Sequence, residues 1–369
     1  MKKVGILFGG KSAEHEISLL SAKNIYDAID RTKFTPVLIG IDKKGRWFLN
    51  DVSISGSKHF LENDSGASQV KLNPEGKTVA LRPEGSGLFS AGGEGNISLD
   101  VVFPVLHGPF GEDGTIQGFL KLADIPFVGA GVLGSAAGMD KDVMKRLLRD
   151  GGVPIAEFLA LRSHEKAPSF FEIAAALKGA ENKTAFFVKP ANMGSSVGIS
   201  KVHNEAELSA ALKDAFLYDT KVIIEEYITG REIECAVLGN EEPAASVPGE
   251  VITSHEFYSY NAKYLDEKGA VLEIPAKLDE CTAKKIQDMA VKVFNLLCCE
   301  GLSRVDFFLK ENGEIIVNEI NTMPGFTRIS MYPKMWEASG VSYTELITRL
   351  IGLAVSRYEK ESRLKTSVN

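Results

Sequence analysis

Between Ser303 and Arg328 the chain carries two strand-like runs joined by Asn312-Gly313, a dipeptide that favours a tight hairpin turn because both positions tolerate positive φ. A two-residue turn at Asn312-Gly313 fixes the pairing. Asp306 falls opposite Glu319 and Arg304 opposite Asn321, and the period of two in strands puts all four on one face. Carboxylates directly opposed on neighbouring strands, with Cβ atoms about 4.5 to 5.5 Å apart, repel unless a cation lies between them. Asp, Glu and Asn are hard oxygen donors of the kind Mg²⁺ takes, usually together with water and substrate phosphates. The hairpin therefore reads as a platform for a metal and a phosphate.

The competing reading is a surface hairpin with solvated charges. Val305, Phe307, Leu309, Ile316 and Ile320 supply an apolar opposite face, which sets the charges on one side by alternation rather than by scatter. An arginine on the polar face adds a fixed planar cation suited to phosphate or an oxyanion.

At 369 residues the chain exceeds what one core usually supports, so two or three domains are expected. The net charge is −7 with no basic block, which argues against nucleic acid or an anionic membrane as the main partner. No apolar run approaches the ~20 residues of a membrane span. Met1-Lys2-Lys3 followed by Val4 to Phe8 resembles a secretion signal, but Lys11, Glu14 and Glu16 interrupt it, so a cytoplasmic protein is expected. Cys235, Cys281, Cys298 and Cys299 include no CxxC pair and read as buried apolar residues or inert thiols.

Val4 to Phe8, Val37 to Ile41 and Asp100 to Leu106 read as buried strands, with a helix from Ser12 through Ile29 after the first. Strand, helix, strand order predicts a parallel α/β domain whose ligand edge lies at the strand C-termini. Residues 50–98 read as an irregular β insertion. Further on, helices are expected at Met139–Asp150, Glu205–Phe216, Thr282–Leu297 and Ser342–Arg357, and strands at Thr184–Lys189 and Val222–Glu226.

Two segments compete as a phosphate loop. Gly5 to Ser12 matches G-x-x-x-x-G-K-[ST], yet the predicted strand runs through its first glycine instead of preceding it. Gly194-Ser195-Ser196-Val197-Gly198 has the better setting, because it follows a strand ending in Lys189 and offers backbone N–H groups to anionic oxygens. A lysine closing the apolar run Phe186-Phe187-Val188 is costly to bury without an anion.

These segments, with Gly9 to Ser18, His107 to Gly114, Met139-Asp140-Lys141, Tyr258 to Tyr264 and Asn318 to Gly325, resemble in residue and order the D-alanine:D-alanine ligases of the ATP-grasp superfamily. The resemblance covers nearly the whole chain. It implies an α/β (α+β) ATP-grasp fold: an N-terminal α/β substrate domain at 1–130, a central subdomain at 131–224, and a C-terminal subdomain at 225–369 with the metal site and a lid at 255–272. Lys141 and Lys189 would hold ATP phosphates, with Ser195 and Ser196 in the phosphate loop. Glu225, Glu226, Tyr227 and Ile228 would form the adenine hinge, Glu232 would take the ribose, and Lys263 would also reach the nucleotide. Asp306, Glu319 and Asn321 would bind two Mg²⁺ ions, with Mn²⁺ as an alternative. Glu14 would hold the ammonium of the first D-alanine and His107 would lie near its carboxylate, while Lys263 and Ser330 would receive the carboxylate of the second.

The chemistry implied is activation of a carboxylate by ATP to an acyl phosphate, followed by attack of the second amine. Arg304 and the Gly325 N–H suit the tetrahedral oxyanion, and a lid excludes water from the acyl phosphate. Tyr264, hydrogen-bonded with Ser195 and Glu14, favours the dipeptide over the D-lactate ester. Glu226 and Met323 depart from common family residues, and the insertion is long. A homodimer is implied. A D-alanine:D-lactate or D-alanine:D-serine ligase, a non-catalytic ATP-grasp module and an NTPase built on Lys11 stand as alternatives.

Overall fold

The computed structural model describes residues 1–50, 60–62, 68–74, 76–81, 87–90, 96–177, 184–253 and 270–368. Lys263, Tyr264 and most of the expected lid lie outside the described residues.

The N-terminal sheet begins with β1 (Lys2–Gly9), followed by α1 (His15–Ala28), β2 (Phe34–Ile41) and β3 (Trp47–Asn50). The 50–98 stretch contributes short antiparallel strands β4 (Phe60–Glu62), β5 (Ser68–Val70), β6 (Val79–Leu81), β7 (Gly87–Ser90) and β8 (Asn96–Ser98). With β9 (Val101–Val105) the order is β3-β2-β1-β9, with β1 parallel to both β2 and β9. Alternation sorts the faces: Val4, Ile6 and Phe8 pack toward Ile25 of α1, while Leu7 joins Ile116 and Leu120 of α2 (Thr115–Leu122) on the other side.

Two helices follow where one was expected. Met139 ends α3 (Val132–Met139), and Asp140 leaves the helical path to cap α4 (Lys141–Asp150), its carboxylate accepting the N–H groups of Asp142 and Val143. The second sheet comprises β10 (Phe158–Arg162), β11 (Phe186–Pro190), β12 (Ser200–Val202) and β13 (Lys221–Glu226), in the order β10-β13-β11-β12, all antiparallel. It is backed by α5 (Phe170–Ala176) and α6 (Glu205–Ala215).

The third sheet contains β14 (Arg231–Gly239), β15 (Ala244–Ala245), β16 (Gly249–Thr253), β17 (Ala270–Glu273), β18 (Gly301–Leu309) and β19 (Ile315–Asn321). Helix α7 (Glu280–Leu296) covers one face. The other meets α8 (Met331–Ala338) and α9 (Tyr343–Glu361), whose apolar side chains merge with the core of the N-terminal sheet. Buried Arg357 of α9 locks this junction by donating to the carbonyls of Gly129 (2.6 Å) and Phe127 (2.8 Å). Among the described residues no helix is long and apolar enough to cross a membrane.

The β18–β19 hairpin forms with a different turn from the one expected. Lys310 N donates to Glu314 O and Gly313 N to Lys310 O, so the loop is Glu311-Asn312-Gly313 with Gly313 at φ +83°. A three-residue loop ending in left-handed glycine is a common hairpin closure. It slides Phe307–Leu309 by one position against Val317–Ile315, and a bulge between Asp306 and Phe307 slides the register back. Asp306 pairs with Glu319 and Arg304 with Asn321 as expected, because the two irregularities cancel. The slide also corrects the apolar face: Ile315 and Val317, rather than Ile316, join Val305, Phe307, Leu309 and Ile320 in the cluster under α7, although Ile316 is buried too.

Candidate functional site

A cleft of about 270 Å³ opens between the second and third sheets. Strand β11 brings Lys189 to its floor, and the start of α4 brings Lys141, whose ammonium donates to Met193 O (2.7 Å) and stands 3.4 Å from Glu319. Both lysines are buried. Phe187 and Phe308 supply apolar walls, and Tyr227, Ile228 and Glu232 line the same space.

The expected hinge is present, but its acids face inward. Glu225 contacts the Lys189 ammonium through one oxygen and lies 3.0 Å from Lys145 Nζ through the other. Burial alone would raise the Glu225 carboxyl, yet the two lysines outweigh it and hold the group down at about 2. Glu226 accepts the Glu157 N–H at 2.9 Å, so that its carboxylate serves the chain and leaves hinge backbone for a ligand. Lys201 sits 3.8 Å above the Tyr227 ring.

The Gly194–Gly198 loop closes the inner end. Ser195 (φ +52°) and Ser196 (φ +59°) are consecutive left-handed residues, an arrangement that persists only where its surroundings enforce it. The enforcing contact is a hydrogen bond from Ser195 Oγ to Glu14, 181 residues away at the start of α1. Glycine permits the approach on both sides: a Cβ on Gly108 would lie 2.6 Å from Glu14 Oε2, and one on Gly194 3.1 Å away.

Behind Glu14 the ring of His107 meets Met323 O (3.0 Å) and Ser21 Oγ (3.2 Å), and burial lowers its pKa against the pull of Glu14. The imidazole is therefore neutral. Glu112 accepts the N–H groups of Gly108 (2.7 Å) and Met323 (3.0 Å); burial, then the neighbouring Glu14 charge, pushes its carboxyl up to about 8.

On the hairpin face the Arg304 guanidinium holds Asp306 through two bonds of 2.7 Å and lies 2.9 Å from Glu234, while Asn321 donates to Asp306 at 3.0 Å. Ser330 precedes α8 and accepts the Thr327 N–H at 3.0 Å, and a Cβ on Gly325 would lie 2.8 Å from its oxygen. Among the described residues no group of three His, Cys, Asp or Glu could hold an ion. The third donor expected here, Asn321, is an amide, and Asp306, Glu319 and Asn321 together remain a hard oxygen set on one face.

Sequence reasoning missed four polar residues of this region. Lys145 was detectable, since it lies on the buried face of α4 with Lys141, Met144 and Leu148. Glu234, which faces Asp306 from β14, needed the strand order. Glu112 lay within a quoted motif but had no assigned partner, and Asn318 reaches the cleft only through the bulge. The Lys11 motif starts inside β1, which runs through its first glycine to Gly9, and the Lys11 ammonium lies over the Phe110 ring at 5.4 Å. Cys235 and Cys299 are buried as expected, whereas Cys281 and Cys298 are exposed.

Comparison with known proteins gives a consistent picture. Residues 3–130 match the family described as D-ala D-ala ligase N-terminus, and 147–352 match D-ala D-ala ligase C-terminus. A D-alanine–D-alanine ligase of Oceanobacillus iheyensis is 54% identical across 99% of this chain and 98% of its own. Among solved structures, the D-alanine-D-alanine ligase from Coxiella burnetii is 38% identical, with TM-score 0.82 over 98% of both chains. A D-Ala:D-Ser ligase from Enterococcus faecalis is also 38% identical, with TM-score 0.79 over 96% of this chain and 99% of that one.

Proposed function

The chain belongs to the D-alanine–D-alanine ligase family and has its ATP-grasp fold, and from that premise we propose how its residues carry out the ATP-dependent joining of two D-alanine molecules. The observation that carries the reading is the Ser195–Glu14 hydrogen bond, which makes one wall common to the phosphate loop and the amino-acid pocket. The three main sheets fall one to each of the domains at 1–130, 131–224 and 225–369, except that β13 carries the second sheet on to Glu226, two residues past the expected boundary.

ATP lies in the cleft with its base against the 225–228 hinge, its ribose at Glu232 and its phosphates at Lys141, Lys189, Ser195 and Ser196. Asp306, Glu319 and Asn321 hold two Mg²⁺ ions, or Mn²⁺, and their oxygen chemistry fits such ions. Divalent ions supply charge neutralisation to the phosphates. Arg304 on Asp306 and Lys141 near Glu319 keep these carboxylates oriented meanwhile.

Glu14 binds the ammonium of the first D-alanine, with neutral His107 beside its carboxylate. That carboxylate attacks the γ-phosphorus, forming the acyl phosphate and releasing ADP. The amine of the second D-alanine, held by its carboxylate at Ser330 and Lys263, attacks the acyl carbon. Arg304 and the Gly325 N–H steady the oxyanion until phosphate leaves. By the resemblance, residues 255–269 would form the lid and Tyr264 would favour dipeptide over ester, whereas 270–272, the rest of the expected lid, start β17 of the third sheet. Lys263 and Tyr264 enter on the sequence alone.

The product serves peptidoglycan precursor synthesis in the cytoplasm, and the enzyme works as a homodimer, for which exposed Phe119, Leu122 and Leu133 on α2 and α3 offer an apolar surface. Phosphate release and mass analysis of products test the function. D-alanine should support both signals and L-alanine neither; magnesium-dependent ATP hydrolysis indifferent to the amino acid rejects it, and preferential capture of D-serine or D-lactate changes the second substrate.

A further inference from the structure

Lys145 has no part in the roles above, although its side chain is only 1% exposed. Its ammonium lies 3.0 Å from Glu225 Oε2, and the opposite oxygen of the same carboxylate contacts Lys189 Nζ. Among the described residues Glu225 is the one acid within ion-pair distance of Lys145. The order is cation, anion, cation, and of the two lysines only Lys189 lines the cleft, beside Glu225.

That asymmetry matters when a phosphate arrives. Lys189 must turn its charge toward the ligand, and a buried carboxylate deserted by its only counter-ion is strongly disfavoured. A second lysine fixed behind the carboxylate removes the conflict. We propose that Lys145 is a positioning residue for nucleotide binding: it keeps Glu225 neutralised from behind, so that Lys189 can leave Glu225 for a phosphate. The proposal rests on the cleft being the ATP site. Lys145 touches no substrate and acts only through Glu225 and Lys189.

The test is steady-state kinetics of the full chain with ATP and D-alanine. Lys145→Met should raise the KM for ATP at least about tenfold, while kcat stays within about threefold and the KM for D-alanine within about twofold. In a Glu225→Gln background, where no carboxylate needs a counter-ion, Lys145→Met should change the ATP KM less than about twofold relative to Glu225→Gln alone. An unchanged ATP KM in the single variant, parallel loss of D-alanine affinity, or an equal tenfold loss in both backgrounds overturns the proposal. Should Lys145→Met alone not fold, the comparison within the Glu225→Gln background still decides. Lys189→Ala separates the two levels: unchanged ATP affinity there refutes the ATP site itself, whereas weakened affinity with a silent Lys145→Met refutes only the positioning role.

Discussion

Two clusters of opposed charges flank the cleft, and they are built to different standards of dryness. At the floor, Lys145 and Glu225 are 1% and 4% exposed, and the acid is neutralised entirely by the protein. On the hairpin, Arg304 and Asp306 are 18% and 14% exposed and Glu319 is 24% exposed, with neutralisation by side chains that can give way to a ligand. A dry carboxylate cannot lose its last counter-ion without a large penalty, whereas partly wet pairs can exchange partners. Glu225 should therefore be needed for stability even when Lys189 turns to a phosphate, and the hairpin for turnover.

The largest expected effect tests the hairpin half of that contrast. Asp306→Asn keeps the shape and removes the charge, and kcat for phosphate release at saturating substrates should fall on the order of 10² to 10³-fold. Its unfolding free energy should move by no more than ~1 kcal/mol, as for a partly exposed pair. A variant turning over within tenfold of the parent would break the contrast.

The floor predicts the reverse. Glu225→Ala leaves two buried ammonium groups facing each other and should cost about 3 to 5 kcal/mol of stability in denaturant unfolding. Acid titration gives the same contribution by another route. The Glu225 carboxyl sits at about 2 in the folded protein against an ordinary 4.5, so its stabilisation is complete above 4.5 and is lost as pH falls toward 2. A loss under ~1 kcal/mol would show that the pair is not dry in solution.

How far the sequence reveals these clusters depends on how local their causes are. Asp306 and Glu319 were legible because alternation within one hairpin is a short-range rule, and the pairing survived a wrong turn only because loop and bulge offset each other. Lys189 was legible as a lysine ending an apolar strand. Lys145 and Glu234 were not, since their partners come from other strands and helices, and no periodicity reports which elements become neighbours. The fold shows the same division: the long helices and buried strands follow from patterning, but α2, α3, α5 and α8 were not read. Their seven or eight residues span barely two turns, too few for a 3.6-residue period to stand out. The Ser195–Glu14 bond joins residues 181 apart and was reachable only through family resemblance.

A third test asks whether the amino-acid side of the cleft behaves like the floor. Glu112 is buried, and burial, then the charge of its neighbour Glu14, raises its carboxyl to about 8 from an ordinary 4.5. The folded protein retains a proton that the unfolded chain releases, so this group makes stability fall between pH 4.5 and 8, by at most ~1.4 kcal/mol per unit. Burial remains in Glu14→Gln while the neighbouring charge is gone. The slope of unfolding free energy over that window should shrink, and an unchanged slope would assign the shift to burial alone.

The smallest expected effect bears on which lysine meets the phosphates. Lys11 completes a phosphate-loop motif by letter, yet the motif's first glycine, Gly5, is a strand residue of β1 and the Lys11 ammonium rests over Phe110 at 5.4 Å in the exposed layer. A cation over an exposed ring contributes about 0.5 to 1 kcal/mol. Lys11→Ala should accordingly reduce stability by no more than that and leave the ATP KM within about twofold. Lys189→Ala, which removes the cleft-facing end of the dry cluster, should raise the ATP KM by far more. If the two variants weakened ATP equally, phosphate affinity would follow charge near the N-terminal sheet as much as the charge paired with Glu225, and burial would not be what distinguishes the binding lysine from the decorative one.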